Sequence, residues 1–255
     1  MDKGQYSLPS VILGRTSYGE ADLVITFMTR EQGKISGLAK HGRKSRKRFG
    51  NILSSLALVK LDFTVTPGRE LVRLDRGDLI RNFDALAKDL NRLGLASYAL
   101  ELVSNLCAPL DPAPEVFDLL IWFLGRIDSG ERPEEAVFIF QLRFLKLTGF
   151  GPNISACPLC GRSVDAEQAL SMKQEHGGVV CRSCVSSGYP VSFGALKLME
   201  LAQTLKLDKV DRVRTSSRVL GEVGPFLRAY ITYTIGRELK SVQFMEQLKK
   251  SSPTV

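Results

Sequence analysis

Histidine is nearly missing from this chain: His41 and His176 are the only two in 255 residues, and neither lies near a nucleophile motif. The phosphate-loop pattern G-x-x-x-x-G-K-[ST], the dinucleotide pattern G-x-G-x-x-G and the G-x-S-x-G elbow are also missing. His176 is followed by Gly177 and Gly178, so the His-x-Glu of zinc deaminases is excluded as well. Glu20 and Asp22 are the one pair a metal-dependent nuclease could use, and at a hairpin end they read better as solvated turn residues. No enzyme is expected. Long apolar runs are lacking too. The longest, Leu119–Leu124, is far short of the roughly 20 residues a membrane helix needs. The opening MDKGQYSLPSVILG has no apolar signal core. The expectation is a cytoplasmic protein with no membrane attachment.

Acidic residues are lacking from one stretch. Residues 32–61 contain no Asp or Glu but hold Lys34, Lys40, Arg43, Lys44, Arg46, Lys47, Arg48 and Lys60. These eight cations account for the whole formal charge of +8, so the remainder of the chain is neutral. Six of them crowd into Lys40–Arg48. Such local repulsion is relieved by water, a polyanion or a membrane surface. A solvated loop, a targeting or membrane patch and a site for an acidic protein tail are alternatives to nucleic-acid binding.

Context favours nucleic acid. Ser10–Arg15, Asp22–Met28, Ile35–Ala39, Leu56–Thr66 and Glu70–Ile80 read as strands joined by short turns, which suggests a small closed or partly closed barrel. The basic run falls between the third and fourth strands, and a basic loop on a small barrel is how OB-folds track a phosphate backbone. Phe49, Phe27, Phe63 and Tyr18 lie in or beside the run and its neighbouring strands. One or two of them can offer a stacking face, while most barrel aromatics are core. No base-reading motif accompanies them, so binding independent of sequence is expected.

From Asp84 the apolar period becomes helical, with Leu86, Leu90, Leu93, Leu100, Val103 and Cys107 on one face. Cys107 reads as core. Pro109, Pro112 and Pro114 break this helix, Val116–Ile127 reads as a buried one, and Pro133 opens another. Helical spacing returns over Phe193–Leu205, Ser217–Leu239 and Val242–Lys249. Between the helical parts lies Cys157-Pro-Leu-Cys160 and, after a spacer of twenty residues, Cys181-Arg-Ser-Cys184. This is the spacing of a structural four-cysteine Zn²⁺ site, with a redox dithiol or a metal-free remnant as alternatives. Four sulfur ligands leave no open position for catalysis. The chain is thus α+β: residues 1–80 form the barrel, 81–152 and 190–250 a helical domain, and 153–189 a metal-binding insert.

The stretches Arg15-Thr-Ser-Tyr-Gly-Glu-Ala-Asp-Leu-Val-Ile, Thr29-Arg-Glu-Gln-Gly-Lys-Ile and Gly37-Leu-Ala-Lys-His-Gly-Arg-Lys resemble the start of the RecO family of bacterial recombination mediators. Phe140-Gln-Leu-Arg-Phe-Leu-Lys-Leu-Thr-Gly-Phe-Gly-Pro-Asn-Ile, running on to Cys157, resembles a later block of it. The resemblance implies an N-terminal OB-fold, an α-helical domain and a zinc finger. It implies a non-enzymatic protein, associated with the nucleoid, that binds single- and double-stranded DNA and anneals complementary strands. It further implies partnership with RecR, contact with the C-terminal tail of the single-stranded-DNA-binding protein, and indirect action on RecA. The family's basic positions fall on Lys34 and Lys40. The expected DNA contacts are Lys34, Lys40, Arg43, Lys44, Arg46, Lys47 and Arg48; the expected Zn²⁺ ligands are Cys157, Cys160, Cys181 and Cys184. An OB-fold RNA-binding protein of translation or ribosome assembly is the alternative.

Overall fold

The computed structural model describes residues 1–43, 45–49, 52–54, 56–165 and 169–251, without the side chains of Arg46, Lys47, Ser54 and Asp211. Five strands make the N-terminal part: β1 (Gly4–Tyr18), β2 (Asp22–Thr29), β3 (Gly33–Ala39), β4 (Ala57–Val65) and β5 (Val72–Asn82). Alternate residues point inward, as a period of two requires. Leu23, Ile25 and Phe27 of β2 are buried, as are Ile35 and Ala39 of β3 and Val59, Leu61 and Phe63 of β4. The strands close in the order β1-β2-β3-β5-β4, every pair antiparallel except β3 with β5. This is the five-stranded OB-fold. β1 closes the ring by serving two partners: Gly4–Val11 pairs with β4, Ser10–Tyr18 pairs with β2, and a bulge lies between Ile12 and Gly14.

The connection between β3 and β4 carries the basic run. It contains a single helical turn, α1 (Arg46–Phe49), and a 3₁₀ turn, Ile52–Ser54. Phe49 and Leu53 are buried in the barrel core and Ile52 packs against it. The run is therefore pinned to the barrel by apolar side chains that fill the barrel interior. Phe49, Phe27 and Phe63 are core residues, not stacking faces.

The helices are α2 (Leu90–Leu106), α3 (Pro114–Ser129), α4 (Pro133–Leu147), α5 (Phe193–Thr204), α6 (Ser217–Ile235) and α7 (Lys240–Ser251). The helix expected from Asp84 begins later because Asp89 caps it, accepting the backbone N–H groups of Asn91 and Arg92 at 2.8 and 3.1 Å. Leu86 is buried in the turn before it. Pro114, expected as a breaker, opens α3, where its missing N–H costs nothing.

The chain forms two compact units, Met1–Glu131 with Leu239–Val255, and Arg132–Glu238. The expected helical domain, 81–152 with 190–250, is divided between them. The first unit joins the barrel to α2, α3 and α7. Lys34 Nζ donates to the Ser104 carbonyl at 2.6 Å, Arg30 pairs with Asp118 at 3.1 Å, and the Lys34 carbonyl accepts the Leu110 N–H at 2.9 Å. α7 returns to this unit through Glu101 of α2, whose carboxylate accepts the N–H groups of Lys240 and Ser241 at 3.0 and 2.8 Å. An anion at a helix N-terminus is favourable. The second unit holds α4, α5, α6 and a small sheet, β7-β6-β8, from β6 (Leu170–Lys173), β7 (Gly178–Cys181) and β8 (Tyr189–Val191). Among the described residues no helix is long and apolar enough to cross a membrane.

Gly33 lies at the barrel–helix junction with φ +67°, and a Cβ there would sit 1.9 Å from the Asp111 carbonyl oxygen. Gly33→Ala is expected to lower stability by about 2–4 kcal/mol, from backbone strain and the displaced 109–111 segment. The urea midpoint of unfolding measures it, and an unchanged midpoint would show that the junction is not held as described.

Candidate metal centre and nucleic-acid interface

The four cysteines of the insert converge. The Sγ atoms of Cys157, Cys160, Cys181 and Cys184 all lie within 4.8 Å of one another, and those of Cys160 and Cys181 are 3.6 Å apart. A tetrahedral ion with bonds of about 2.3 Å to sulfur needs S–S edges of about 3.8 Å. The site fits such an ion.

Local sequence explains the convergence. The first pair sits on a turn in which the Gly161 N–H donates to the Cys157 carbonyl at 2.9 Å, and Gly161 takes the left-handed φ of +72° that the turn requires. The second turn closes through the N–H groups of Cys184 and Val185, donated to the Cys181 carbonyl at 3.0 and 3.2 Å. Val185 packs on Cys157, Val180 and Cys181 instead of opening a glycine knuckle. Asn153 organises the approach: its side-chain oxygen accepts the Ser155 N–H at 3.1 Å, and its carbonyl accepts the Val179 N–H at 2.8 Å. Sequence reasoning gives Asn153 no role, and its place in a Pro-Asn-Ile-Ser turn is the signal that could have found it.

The thiols differ electrostatically. Burial pushes Cys157 up, but backbone N–H groups of Cys181, Leu159 and Cys160 outweigh it and leave the thiol below its usual value. The Ser183 hydroxyl, 3.1 Å from Cys181 Sγ, leads the interactions that bring Cys181 down to about 6. Cys184, sharing its proton first with Cys181, is pushed up to about 12. Part of the ligand set is thus poised to ionise, and the rest must give up protons to a metal. Cys107 is outside this group, buried beside α2, and desolvation raises it to about 11, as suits a core thiol.

The barrel carries the other candidate site. Lys40 and Arg43 are exposed, and no side-chain bond involves either of them among the described residues. The segment that holds them is built on backbone bonds. The His41 N–H donates to Asp22 Oδ1 at 2.7 Å and the Arg43 N–H to the Ala21 carbonyl at 3.2 Å. Asp22 is therefore an anchor of the β1–β2 hairpin end. Arg48 turns inward on its own loop: it donates to the Ser45 hydroxyl at 3.1 Å and to the Lys40 carbonyl, and its guanidinium lies 5.0 Å from the Phe49 ring centre. Lys44 and the side chains of Arg46 and Lys47 lie outside the described residues.

Lys34, expected as a DNA contact, is half-buried. Its ammonium caps one of the last carbonyls of α2, a favourable position for a cation. Burial lowers its pKa. Sequence reasoning does not single out Arg69 and Arg73. With Leu38, Lys40, Thr66, Glu70, Leu71 and Val72 they line a groove of about 620 Å³ beside the β3–β5 seam. Their signal is weak, because acids accompany them in the sequence and Arg73 pairs with Asp75 at 2.7 Å.

Residues 1–83 match the family model described as recombination protein O N terminal, and residues 87–243 match the one for recombination protein O C terminal. The chain belongs to the RecO family. A DNA repair protein RecO from Syntrophus aciditrophicus is 32% identical over 244 residues, 94% of each chain. Others are 34% identical over 251 residues: that of Syntrophotalea carbinolica covers 98% of this chain and 97% of its own, and that of Myxococcus xanthus 96% and 98%. The motif blocks at 15–44 and 140–161 thus mark a RecO chain throughout its length. None of these relatives' names carries a catalytic activity.

Two outcomes are expected for this RecO chain. Lys34→Ala should lower stability by about 1–2 kcal/mol through removal of the cap, seen as a lower midpoint of thermal or urea unfolding; an unchanged midpoint would refute the clasp. Because thiolates, not thiols, bind the ion, protons compete with it for sulfur, and metal retained after dialysis should fall on acidification. Metal content that does not respond to acidification at any pH where the protein remains folded would contradict the thiolate site.

Proposed function

We propose that this chain is a non-enzymatic recombination mediator of DNA repair. It binds single- and double-stranded DNA without sequence specificity, anneals complementary strands and, with RecR, helps load RecA onto DNA coated by the single-stranded-DNA-binding protein. The observation that carries the reading is a pair of exposed cations, Lys40 and Arg43, unpaired among the described residues, on a segment fixed to an OB-fold barrel in a RecO chain. Lys44, Arg46 and Lys47 extend the same run, and Arg48 supports it from within. Cations on this segment neutralise phosphates on two strands and reduce their mutual repulsion, so that base pairing can proceed. Phosphate contacts supply affinity but no sequence information.

The four thiolates hold Zn²⁺ in a structural role, for they fill its coordination and leave no position for water. The ion ties the two cysteine turns together around a small apolar patch of Val180 and Val185. The helices offer surfaces for RecR and for the acidic tail of the single-stranded-DNA-binding protein. The protein works in the bacterial cytoplasm at the nucleoid.

A Lys40→Ala, Arg43→Ala variant should bind oligonucleotides of any sequence more weakly. Its log–log salt dependence should be flatter by roughly 0.7–0.9 for each phosphate no longer neutralised. It should also anneal complementary strands coated with their binding protein more slowly. An unchanged salt slope overturns the phosphate track. Stronger binding of an RNA oligonucleotide than of DNA of the same sequence, without annealing, would favour the RNA-binding alternative.

A further inference from the structure

The barrel contains six aromatic side chains before α2. Phe27, Phe49, Phe63 and Phe83 are buried, and Tyr6 stacks on Phe63 with ring centres 5.4 Å apart. Tyr18 is the exception, 57% exposed at the end of β1. A single exposed tyrosine is ordinary by itself, but the setting of this one is not.

β1 pairs with β4 only as far as Val11, and from Gly14 to Tyr18 it is paired with β2 alone. All five residues of that stretch are exposed, and a Cβ added at Gly14 or Gly19 would meet nothing within 4 Å. The hairpin end therefore stands in open space. It is also held in place: the Ala21 carbonyl and the Asp22 carboxylate accept the N–H groups of Arg43 and His41. Tyr18 and the basic segment thus belong to one surface.

The register puts them on one face. Tyr18 lies opposite Asp22, and Leu23 lies opposite Ala39, which brings Lys40 level with Asp22 on the next strand. Leu23 and Ala39 point into the core, so Tyr18 and Lys40 point out of it. With strands about 4.8 Å apart, Tyr18 and Lys40 are separated by roughly 10 Å across three strands. The next outward row, Thr16, Val24, Leu38 and Arg73, has one charge and no large ring. Beyond it Thr26 and Ser36 share a hydrogen bond of 3.3 Å. A low-relief face of small and aliphatic side chains is thus bordered on one side by Lys40 and, between it and Tyr18, by the Asp22 carboxylate that holds the His41 N–H, and on another by Arg73, with one aromatic ring at its corner.

We infer that Tyr18 is the base-stacking residue of this interface and gives it a preference for single strands over duplex. The inference rests on the proposed phosphate track and adds an interaction of a different kind. Unpaired bases present free faces to an aromatic ring, while bases in a duplex are stacked on one another and do not. Stacking exchanges no counterions, so it adds affinity without steepening the salt dependence.

The test uses the full chain with an oligothymidylate of about 20 nucleotides, longer than an OB-fold site, and a duplex of equal length, each titrated at several salt concentrations. Tyr18→Ala should bind the single strand roughly five- to a hundredfold more weakly with a parallel salt slope. Its duplex affinity should stay within about twofold of the unsubstituted protein, since duplex contacts are phosphate contacts. Tyr18→Trp should keep the single-strand affinity and show quenched indole fluorescence on binding. Unchanged single-strand affinity in Tyr18→Ala, or an equal weakening on both ligands, overturns the inference. If Lys40→Ala, Arg43→Ala still flattens the salt slope in that case, the phosphate track stands and Tyr18 alone is removed from it. If the slope does not respond to those two substitutions, the track falls and this inference falls with it.

Discussion

The anchoring of Phe49 and Leu53 in the barrel interior is the contact on which the rest of the first unit's surface depends. Six cations between Lys40 and Arg48 repel one another, by about 1 kcal/mol for each close pair in water. Left to itself such a segment would spread into solvent. Two large apolar side chains at its far end, each worth about 1.5–3 kcal/mol when buried, hold it against the barrel. Backbone bonds from His41 and Arg43 to the β1–β2 hairpin hold the near end. Lys40 and Arg43 are thus carried on a fixed frame, and the run itself contains no acid to relieve the repulsion. On the function proposed above, a polyanion would relieve it, which would make the repulsion itself a source of affinity.

A related use of charge appears at helix ends. Lys34 takes a terminal carbonyl of α2, Glu101 takes the first N–H groups of α7, and in the second unit Arg143 takes the Ala202 carbonyl, 3.2 Å away at the end of α5. Each is a charged side chain reaching from one element to the end of another with the sign that the end prefers. In the first unit Lys34 ties the barrel to α2, and Glu101 ties α2 in turn to α7, far along the chain. Glu101 and Lys240 are 139 residues apart, so α7 belongs to the barrel's unit although the chain passes through the whole second unit before reaching it.

That long return marks the limit of what the sequence alone discloses. The five strands follow from alternation and turn residues, and the cysteine site follows from C-x2-C spacing, because both signals are local. The partition of the helices is not local. An amphipathic helix announces that one face is covered but not by what, so α7 is grouped by sequence with its neighbours in the chain. Asp89 shows the same limit at smaller scale: the apolar period runs on through Leu86, yet a capping aspartate decides where the helix starts. Lys34 is the instructive case at the site. It stands in the basic run and in a motif block, and charge patterning cannot tell a cation facing solvent from one turned onto a helix end. Tyr18 is the converse, one aromatic among four candidates until burial removes the other three.

The excess of positive charge lies in the first unit, in residues 32–61. Four thiolates holding a divalent ion would leave a local charge of about −2 on the cysteine insert. A phosphate backbone is repelled by that centre, and the insert brings no compensating run of cations, since the excess lies wholly between residues 32 and 61. An ion held there would therefore act on the protein rather than on a nucleic acid. It would tie together two turns around the small apolar patch of Val180 and Val185, and Ser183 and the backbone N–H groups around Cys157 would lower the cost of assembling so much negative charge. DNA affinity and metal content should accordingly be separable properties of this chain, the first governed by salt and the basic segment, the second by pH and the thiols.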